Sequence, residues 1–235
     1  MMIIAQILAG GIGSRMSKTT PKQFLKLNNL PMILYSIKVM LLVDEIDYII
    51  VSIGKKFFSK MTFFLNKYIP SPSKKIFFIE GGDSRDKTIL NCLDYLVKNE
   101  QATNCLLITH DAARPFITTS LIQDVINATK KTGIASLAIS CTDTIISNDK
   151  DNYSFLDRNN IFQIQTPQGF YVNKYMEALN KLTISAKQKI TDATSVFLLN
   201  SEKITLVDGD KNNIKITTNI DLQLAKLLAK THQFS

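Results

Sequence analysis

The sequence predicts a doubly wound α/β fold with a mostly parallel sheet and a protruding β-arm, in a single domain over 1–235. Three observations predict it. Apolar, β-branched runs alternate with helical patterns through the first 140 residues, as in strands joined by helical crossovers. The first of these runs is apolar at nearly every position, as strands buried on both faces require. The polar segments at Gly10, Gly81 and Asp111 each follow a strand, and ligands of such sheets bind outside the strands' carboxyl ends.

Each element follows from local chemistry. Met2–Leu8 is an apolar run stopped by glycines, hence a buried strand. Pro31–Leu42 has helical spacing of apolar residues, and Tyr48–Ile53 is a β-branched strand ending at Gly54. Phe57–Tyr68 reads as a helix closed by Pro70 and Pro72. Lys75–Glu80 is a short strand, followed by a second glycine loop, Gly81-Gly82-Asp83-Ser84-Arg85, and a helix over Lys87–Leu96. Cys105–Thr109 is a strand ending at His110-Asp111; Thr118–Thr129 is a helix capped by Thr118 or Thr119; Ile134–Ser140 is the next strand. The rhythm then breaks. Asp143–Phe162 is polar at its centre and reads as a hairpin-like arm leaving the domain. Gln165–Gly169 is expected to be a loop and Val172–Leu182 a helix, and Thr191–Thr194 to cap a short helix. Ile204–Val207 and Ile214–Thr217 are strand candidates, and Asp221–Lys230 is a closing amphipathic helix. No internal repeat, low-complexity tract or linker is apparent.

Composition bounds the function. With 235 residues and 45% hydrophobic content, the chain can bury one well-packed domain. Ile33–Val43, the nearest approach to a membrane span, is interrupted by Lys38. The apolar N-terminus lacks a basic leader and reads as a strand, not a signal peptide. Cys92, Cys105 and Cys141 are far apart, with no CxxC pair, which points to buried thiols and a reducing cytoplasm. The net charge of +8 invites a nucleic-acid partner. Yet the lysines are scattered in pairs without interleaved aromatics, so nucleic acid and membrane are not expected as partners, and small polyanions are.

The stretch Ile7–Gln23, ILAGGIGSRMSKTTPKQ, organises the rest. Glycines let a backbone approach a ligand closely, and the free N–H groups of such a loop form an anion-binding concavity. Arg15 and Lys22 place positive charge beside it. The plainer alternative is a strand-to-helix turn with surface cations. A dinucleotide fingerprint is not met: the spacing is Gly10-Gly11-x-Gly13, and no acid stands at Leu30–Ser36.

LAGGIGSRM with PKQFL, then GGDSRDKT, THDAARPFIT, DTI, DRNNIFQIQTPQGF, TDAT and NIKITT, resembles, in order and over nearly the whole chain, the cytidylyltransferases of sugar-alcohol phosphates. The resemblance implies a Rossmann-like nucleotidyltransferase that moves CMP from CTP to a polyol phosphate with Mg²⁺, and a homodimer in which the arm around 143–162 reaches a partner subunit. Such chemistry joins two anions, so catalysis needs cations, backbone amides and a metal, with no protein nucleophile.

By resemblance, Arg15 and Lys22 neutralise the triphosphate, while Leu8, Ala9, Gly10, Gly11 and Gly13 wrap it. Arg158 and Lys215 are the cations at the polyol phosphate and the α-phosphate. Gly81, Gly82, Asp83, Arg85 and Thr88 match the cytosine and ribose site, where Asp83 or Ser84 also suits a helix cap. Asp111 matches a Mg²⁺-associated, substrate-contacting aspartate. Arg114 and Thr166 match the polyol pocket, and Thr191 and Asp192 a loop near it, although a helix cap explains that loop equally well. His110 is assigned a packing or turn role. ILAGG, PKQFL and THD with RPFIT favour the ribitol 5-phosphate branch, which serves wall and capsule polymers; DAAR, LDRN and GD before NIKITT favour the 2-C-methyl-D-erythritol 4-phosphate branch of isoprenoid synthesis. The balance of motifs leans to ribitol. A non-catalytic CTP-binding module is the alternative from another class.

Overall fold

The computed structural model describes residues 1–11, 21–99 and 105–231. In chain order its strands are β1 (Met2–Leu8), the ribbon β2 (Lys26–Leu27) and β3 (Leu30–Pro31), β4 (Tyr48–Ile53), β5 (Lys75–Glu80), β6 (Cys105–Asp111), β7 (Ile134–Ser140), the arm strands β8 (Ile145–Asp149) and β9 (Asn152–Leu156), β10 (Phe162–Tyr171) and β11 (Thr205–Asp208). The helices are α1 (Met32–Leu42), α2 (Phe58–Tyr68), α3 (Arg85–Lys98), α4 (Thr119–Thr132), α5 (Val172–Lys181), the single turns α6 (Ile184–Lys187) and α7 (Ser195–Leu198), and α8 (Asn219–Thr231).

Seven strands pair in the order β11-β7-β10-β6-β1-β4-β5. All neighbours are parallel except β10, which runs against both β6 and β7. The doubly wound expectation therefore holds. Ile3, Ala5 and Ile7 of β1 pack in one core with Ile33 and Ile37 of α1 and Val125 of α4. Ile4 faces the opposite core, with Ile89 and Leu93 of α3 and Tyr175 of α5. Burial of each isoleucine, leucine or valine among them contributes about 1.5–3 kcal/mol, so a strand buried on both faces is worth far more than its ladder alone. A third, smaller core seats α8 through Ala225 and Ala229 on Leu27, Tyr35 and Phe116.

The helix ends follow cap chemistry. The Thr118 hydroxyl accepts from Leu121 N at 3.4 Å, and Gly133, at φ 94°, closes α4 in the left-handed conformation that suits glycine. Thr218 and Asp221 cap α8 reciprocally: Asp221 Oδ2 accepts from Thr218 N at 2.7 Å, and Asp221 N donates to Thr218 Oγ1 at 3.3 Å.

β8 and β9 pair antiparallel through a two-residue turn in which Lys150 and Asp151 have φ of 49° and 69°. Two positive φ values give the turn twist that suits a hairpin. This is the expected arm, and it carries Ile146, Tyr153 and Phe155 largely exposed.

Two expectations fail. Gln165–Gly169 is not a loop but the buried middle of β10, where the register with β7 shifts between Ile164 and Gln168. Pro167 cannot donate to a ladder, and a bulge is where a strand tolerates it. Ile214–Thr217 is not a strand: it has no ladder partner, and Ile216 N donates to Ala113 O at 2.9 Å while its side chain fills the third core. No helix among the described residues is long and apolar enough to cross a membrane.

Candidate active site

The carboxyl ends of β1, β5 and β6 meet at one rim of the sheet. Beyond β1, Ala9 N donates to Ser52 O at 2.8 Å; beyond β5, Gly81 N donates to Ile53 O at 3.2 Å. The two glycine loops thus close over the end of β4 and touch. A Cβ on Gly81 would lie 3.0 Å from Gly10 Cα, and one on Gly82 would lie 2.5 Å from Lys87 Cβ. The missing side chains are what lets backbone meet backbone there. Thr88, at the start of α3, secures the junction: its hydroxyl accepts from Gly82 N at 3.0 Å and donates to Ser84 O at 2.8 Å. Beneath it the buried Gln6 donates to Ser52 Oγ at 2.8 Å and to Thr88 O at 3.0 Å.

A cleft opens beside this junction, lined by residues 8–11, 82–85 and 111–113 together with Lys22, Gln23, Thr88 and Lys215. Gln23 Nε2 donates to Ala9 O at 3.0 Å, which ties the turn Lys22–Phe24 to the exit of β1 and brings Lys22 to the cleft.

Asp111 stands at the end of β6 as the counter-ion of the cleft. Its Oδ2 is 2.8 Å from Lys215 Nζ and its Oδ1 is 3.4 Å from Arg85 Nη2. Burial pushes its carboxyl upward, but Arg85 and Lys215 outweigh burial and hold it well below the ordinary carboxylate range. Lys215 lies on an irregular segment fixed from below. Arg114 Nη1 donates to Asn213 O at 2.7 Å, Asn213 Nδ2 donates to Thr166 O at 2.9 Å, and Ile216 N holds Ala113 O.

His110, fully buried, orders this floor. Its Nε2 lies 2.9 Å from Arg114 O, which can only accept, so Nε2 carries the proton. Its Nδ1 then accepts from Thr166 Oγ1 at 3.1 Å, and Thr166 Oγ1 in turn accepts from Asp111 N at 3.1 Å. A relay of three hydrogen bonds thus runs from the Asp111 backbone to the Arg114 carbonyl and fixes a neutral imidazole. Burial lowers the His110 pKa to about 4, against the opposing pull of the Arg114 carbonyl.

This shift makes stability depend on pH. Between pH 6.5, the ordinary histidine value, and about 4, the unfolded chain takes up a proton that folded His110 refuses. Stability therefore falls as pH drops through that window, by at most on the order of 3 kcal/mol. Asp111, whose folded pKa is depressed, adds to the loss below its ordinary value. Urea unfolding across pH 7.5 to 4.5 is expected to show this slope, and His110→Gln is expected to flatten it; an unchanged slope in the variant refutes the assignment.

Of the residues singled out in the sequence, the structure gathers Leu8, Ala9, Gly10, Gly11, Lys22, Gly82, Asp83, Arg85, Thr88, Asp111 and Lys215 around one cleft, with Gly81 directly behind Gly10. Gly13 and Arg15 lie outside the described residues. Arg114 and Thr166 sit under the cleft as supports, with their polar groups turned to Asn213, His110 and the Asp111 backbone. Arg158 is exposed in the short turn Arg158–Asn160 at the base of the arm, outside the cleft lining. Thr191 is exposed, and Asp192 Oδ1 accepts from Ser195 N at 2.8 Å, closing the turn that leads into α7, whose N-cap is Thr194. Sequence reasoning missed Gln23, Asn213 and Gln168. The one signal for them was a polar amide inside or beside an apolar run.

The sequence profile of the 2-C-methyl-D-erythritol 4-phosphate cytidylyltransferase family, IspD, matches residues 3–231. The chain belongs to this family. It is a cytidylyltransferase. Solved structures agree. The 4-diphosphocytidyl-2C-methyl-D-erythritol synthase of Anaerococcus prevotii is 27% identical, covers 97% of this chain and 96% of its own, and superposes with a TM-score of 0.83. The 2-C-methyl-D-erythritol 4-phosphate cytidylyltransferase of Francisella tularensis is 28% identical over 97% of this chain and 99% of its own, with a TM-score of 0.77. That of Thermus thermophilus, 24% identical over 98% of this chain and all of its own, shares the fold with a TM-score of 0.72. The family description names the methylerythritol branch and gives no support to the leaning to ribitol drawn from ILAGG, PKQFL and RPFIT. Those motifs surround the glycine loop and Asp111.

Proposed function

We propose that this chain transfers CMP from CTP to 2-C-methyl-D-erythritol 4-phosphate and releases pyrophosphate. The observation that carries the reading is the convergence of Lys22, Arg85 and Lys215 on one glycine-walled cleft of an IspD-family chain. An acceptor phosphate oxygen attacks the α-phosphorus and the bond to pyrophosphate breaks. The protein's task is to neutralise and align two anions. Lys22 and the Gly10–Gly11 backbone take the triphosphate, the Gly81–Thr88 loop takes the cytidine, and Lys215 faces the α-phosphate. Cys92, Cys105 and Cys141 are buried away from the cleft and supply no nucleophile.

Mg²⁺ fits this arrangement as a metal held mainly by the phosphates. Among the described residues no cluster of three His, Cys, Asp or Glu groups could cage an ion, and Asp111 is the one carboxylate both buried and lining the cleft. One carboxylate plus substrate phosphates is a common Mg²⁺ shell. Bound there, the ion would neutralise charge on the phosphates, while Asp111 also keeps Lys215 and Arg85 in place. The exposed apolar side chains of the arm, Phe155 and Tyr153 foremost, support a second copy of the chain as its cover.

Pyrophosphate release in the presence of CTP, Mg²⁺ and either 2-C-methyl-D-erythritol 4-phosphate or D-ribitol 5-phosphate tests the acceptor. Turnover is expected with the former; turnover with ribitol phosphate alone overturns the reading. Lys22→Ala is expected to lower kcat about a hundredfold at unchanged melting temperature. A rate within threefold of the parent protein removes Lys22 from the site.

A further inference from the structure

Gln168 lies in the middle of β10 and is fully buried. A buried carboxamide is costly unless its polar atoms are paired, and here all its capacity is used. Its Oε1 accepts from Arg85 Nη2 at 3.4 Å and from Ala193 N at 3.1 Å. Its Nε2 donates to Ser136 Oγ at 3.3 Å and to Thr194 Oγ1 at 3.2 Å. Arg85 and Ala193 N can only donate, so the amide has one orientation. The Arg85 nitrogen it holds, Nη2, is the one paired with Asp111 Oδ1 at 3.4 Å. On the other side, Thr194 Oγ1 donates to Asp192 Oδ1 at 2.9 Å and so continues into the turn that opens α7.

A hydrocarbon of the same volume would fill this space at lower desolvation cost. The amide does what a hydrocarbon cannot: it fixes a guanidinium and a loop amide to one atom. We propose that Gln168 is a positioning residue for cytidylyl transfer, which holds Arg85 against Asp111 and locks the Thr191–Thr194 turn to the same point, so that the Arg85 side of the cleft and that turn move together. This rests on the proposed assignment of the Arg85 side of the cleft to the nucleotide.

The test is a kinetic cycle of Gln168→Met, Arg85→Ala and the double variant, each assayed for kcat and for KM of CTP. Gln168→Met is expected to raise the KM of CTP about tenfold, and to change it less than twofold once Arg85 is alanine. Gln168→Glu keeps an acceptor for Arg85 and Ala193 N and is expected to hold that KM within about threefold of the parent protein. Independent, multiplicative effects in the double variant overturn the proposal, as does a Gln168→Met protein that melts lower but keeps the parent KM. Should Gln168→Met not fold, Gln168→Asn, one methylene short of Arg85, takes its place in the cycle. An Arg85→Ala protein with the parent KM for CTP fails the nucleotide assignment separately. The cycle is then read in the KM of the polyol phosphate, where independent effects again overturn the proposal.

Discussion

Lys215→Met is expected to lower kcat by two to three orders of magnitude and, separately, to lower the melting temperature by taking a cation from buried Asp111. The lysine is a preorganised cation: it sits 2.8 Å from Asp111 on a segment held by Arg114, Asn213 and Ala113 rather than by a helix or strand. Loss of one such electrostatic contact in an active site typically costs about 10²–10³ in rate. Methionine keeps the apolar stem, so packing is retained; the stability lost is that of buried Asp111, which keeps only Arg85 as a cation. Steady-state pyrophosphate release together with a melting curve separates the two effects. A variant with near-parent kcat would show that Lys215 serves Asp111 alone.

Gly82→Ala is expected to act on both fold and nucleotide. The new Cβ would lie 2.5 Å from Lys87 Cβ, 2.8 Å from Lys87 carbonyl carbon and 2.9 Å from Thr88 N. Two of these belong to the backbone of α3 and cannot turn aside, so the loop must retreat from Thr88 Oγ1 or the helix start must unwind. Overpacking of this kind costs about 1–3 kcal/mol. The KM for CTP should rise more than that for the acceptor. Gly11→Ala is the internal control, since no described atom stands within 4 Å of its Cβ; it is expected to remain within about 0.5 kcal/mol of the parent protein. Urea unfolding of the two variants side by side decides the matter, and equal stabilities refute it.

The first 140 residues were legible because strands buried on both faces leave unbroken apolar runs, and glycines punctuate them where a ligand rim needs open backbone. Lys22, Asp111 and Lys215 were legible through motif order, and the cleft does gather them. Two kinds of feature were not. Pro167 and Gly169 look like turn residues, yet they occupy a bulged central strand whose neighbours, β6 and β7, come from elsewhere in the chain. Ile214–Thr217 alternates like a strand, but no free sheet edge meets it, and Ile216 drops into a core instead. The supporting network was hidden for a similar reason. His110 and Thr166, and Arg114 and Asn213, are joined across 56 and 99 residues, a separation that local pattern does not report.

The reversed strand β10 also sets an order of events on the ribosome. β5, β4, β1 and β6 can pair as soon as residue 111 has emerged, but β7 has sheet neighbours only in β10 and β11. A nascent chain that has reached the arm therefore carries the contact between the two glycine loops, an uncovered apolar edge on β6, and a β7 with nothing to pair with. Gln168 arrives with the strand that closes that edge, and Lys215 follows later still. Nucleotide-binding competence is thus a late acquisition of translation, and the interval before it is when an unpaired strand edge most invites chaperones or misassembly.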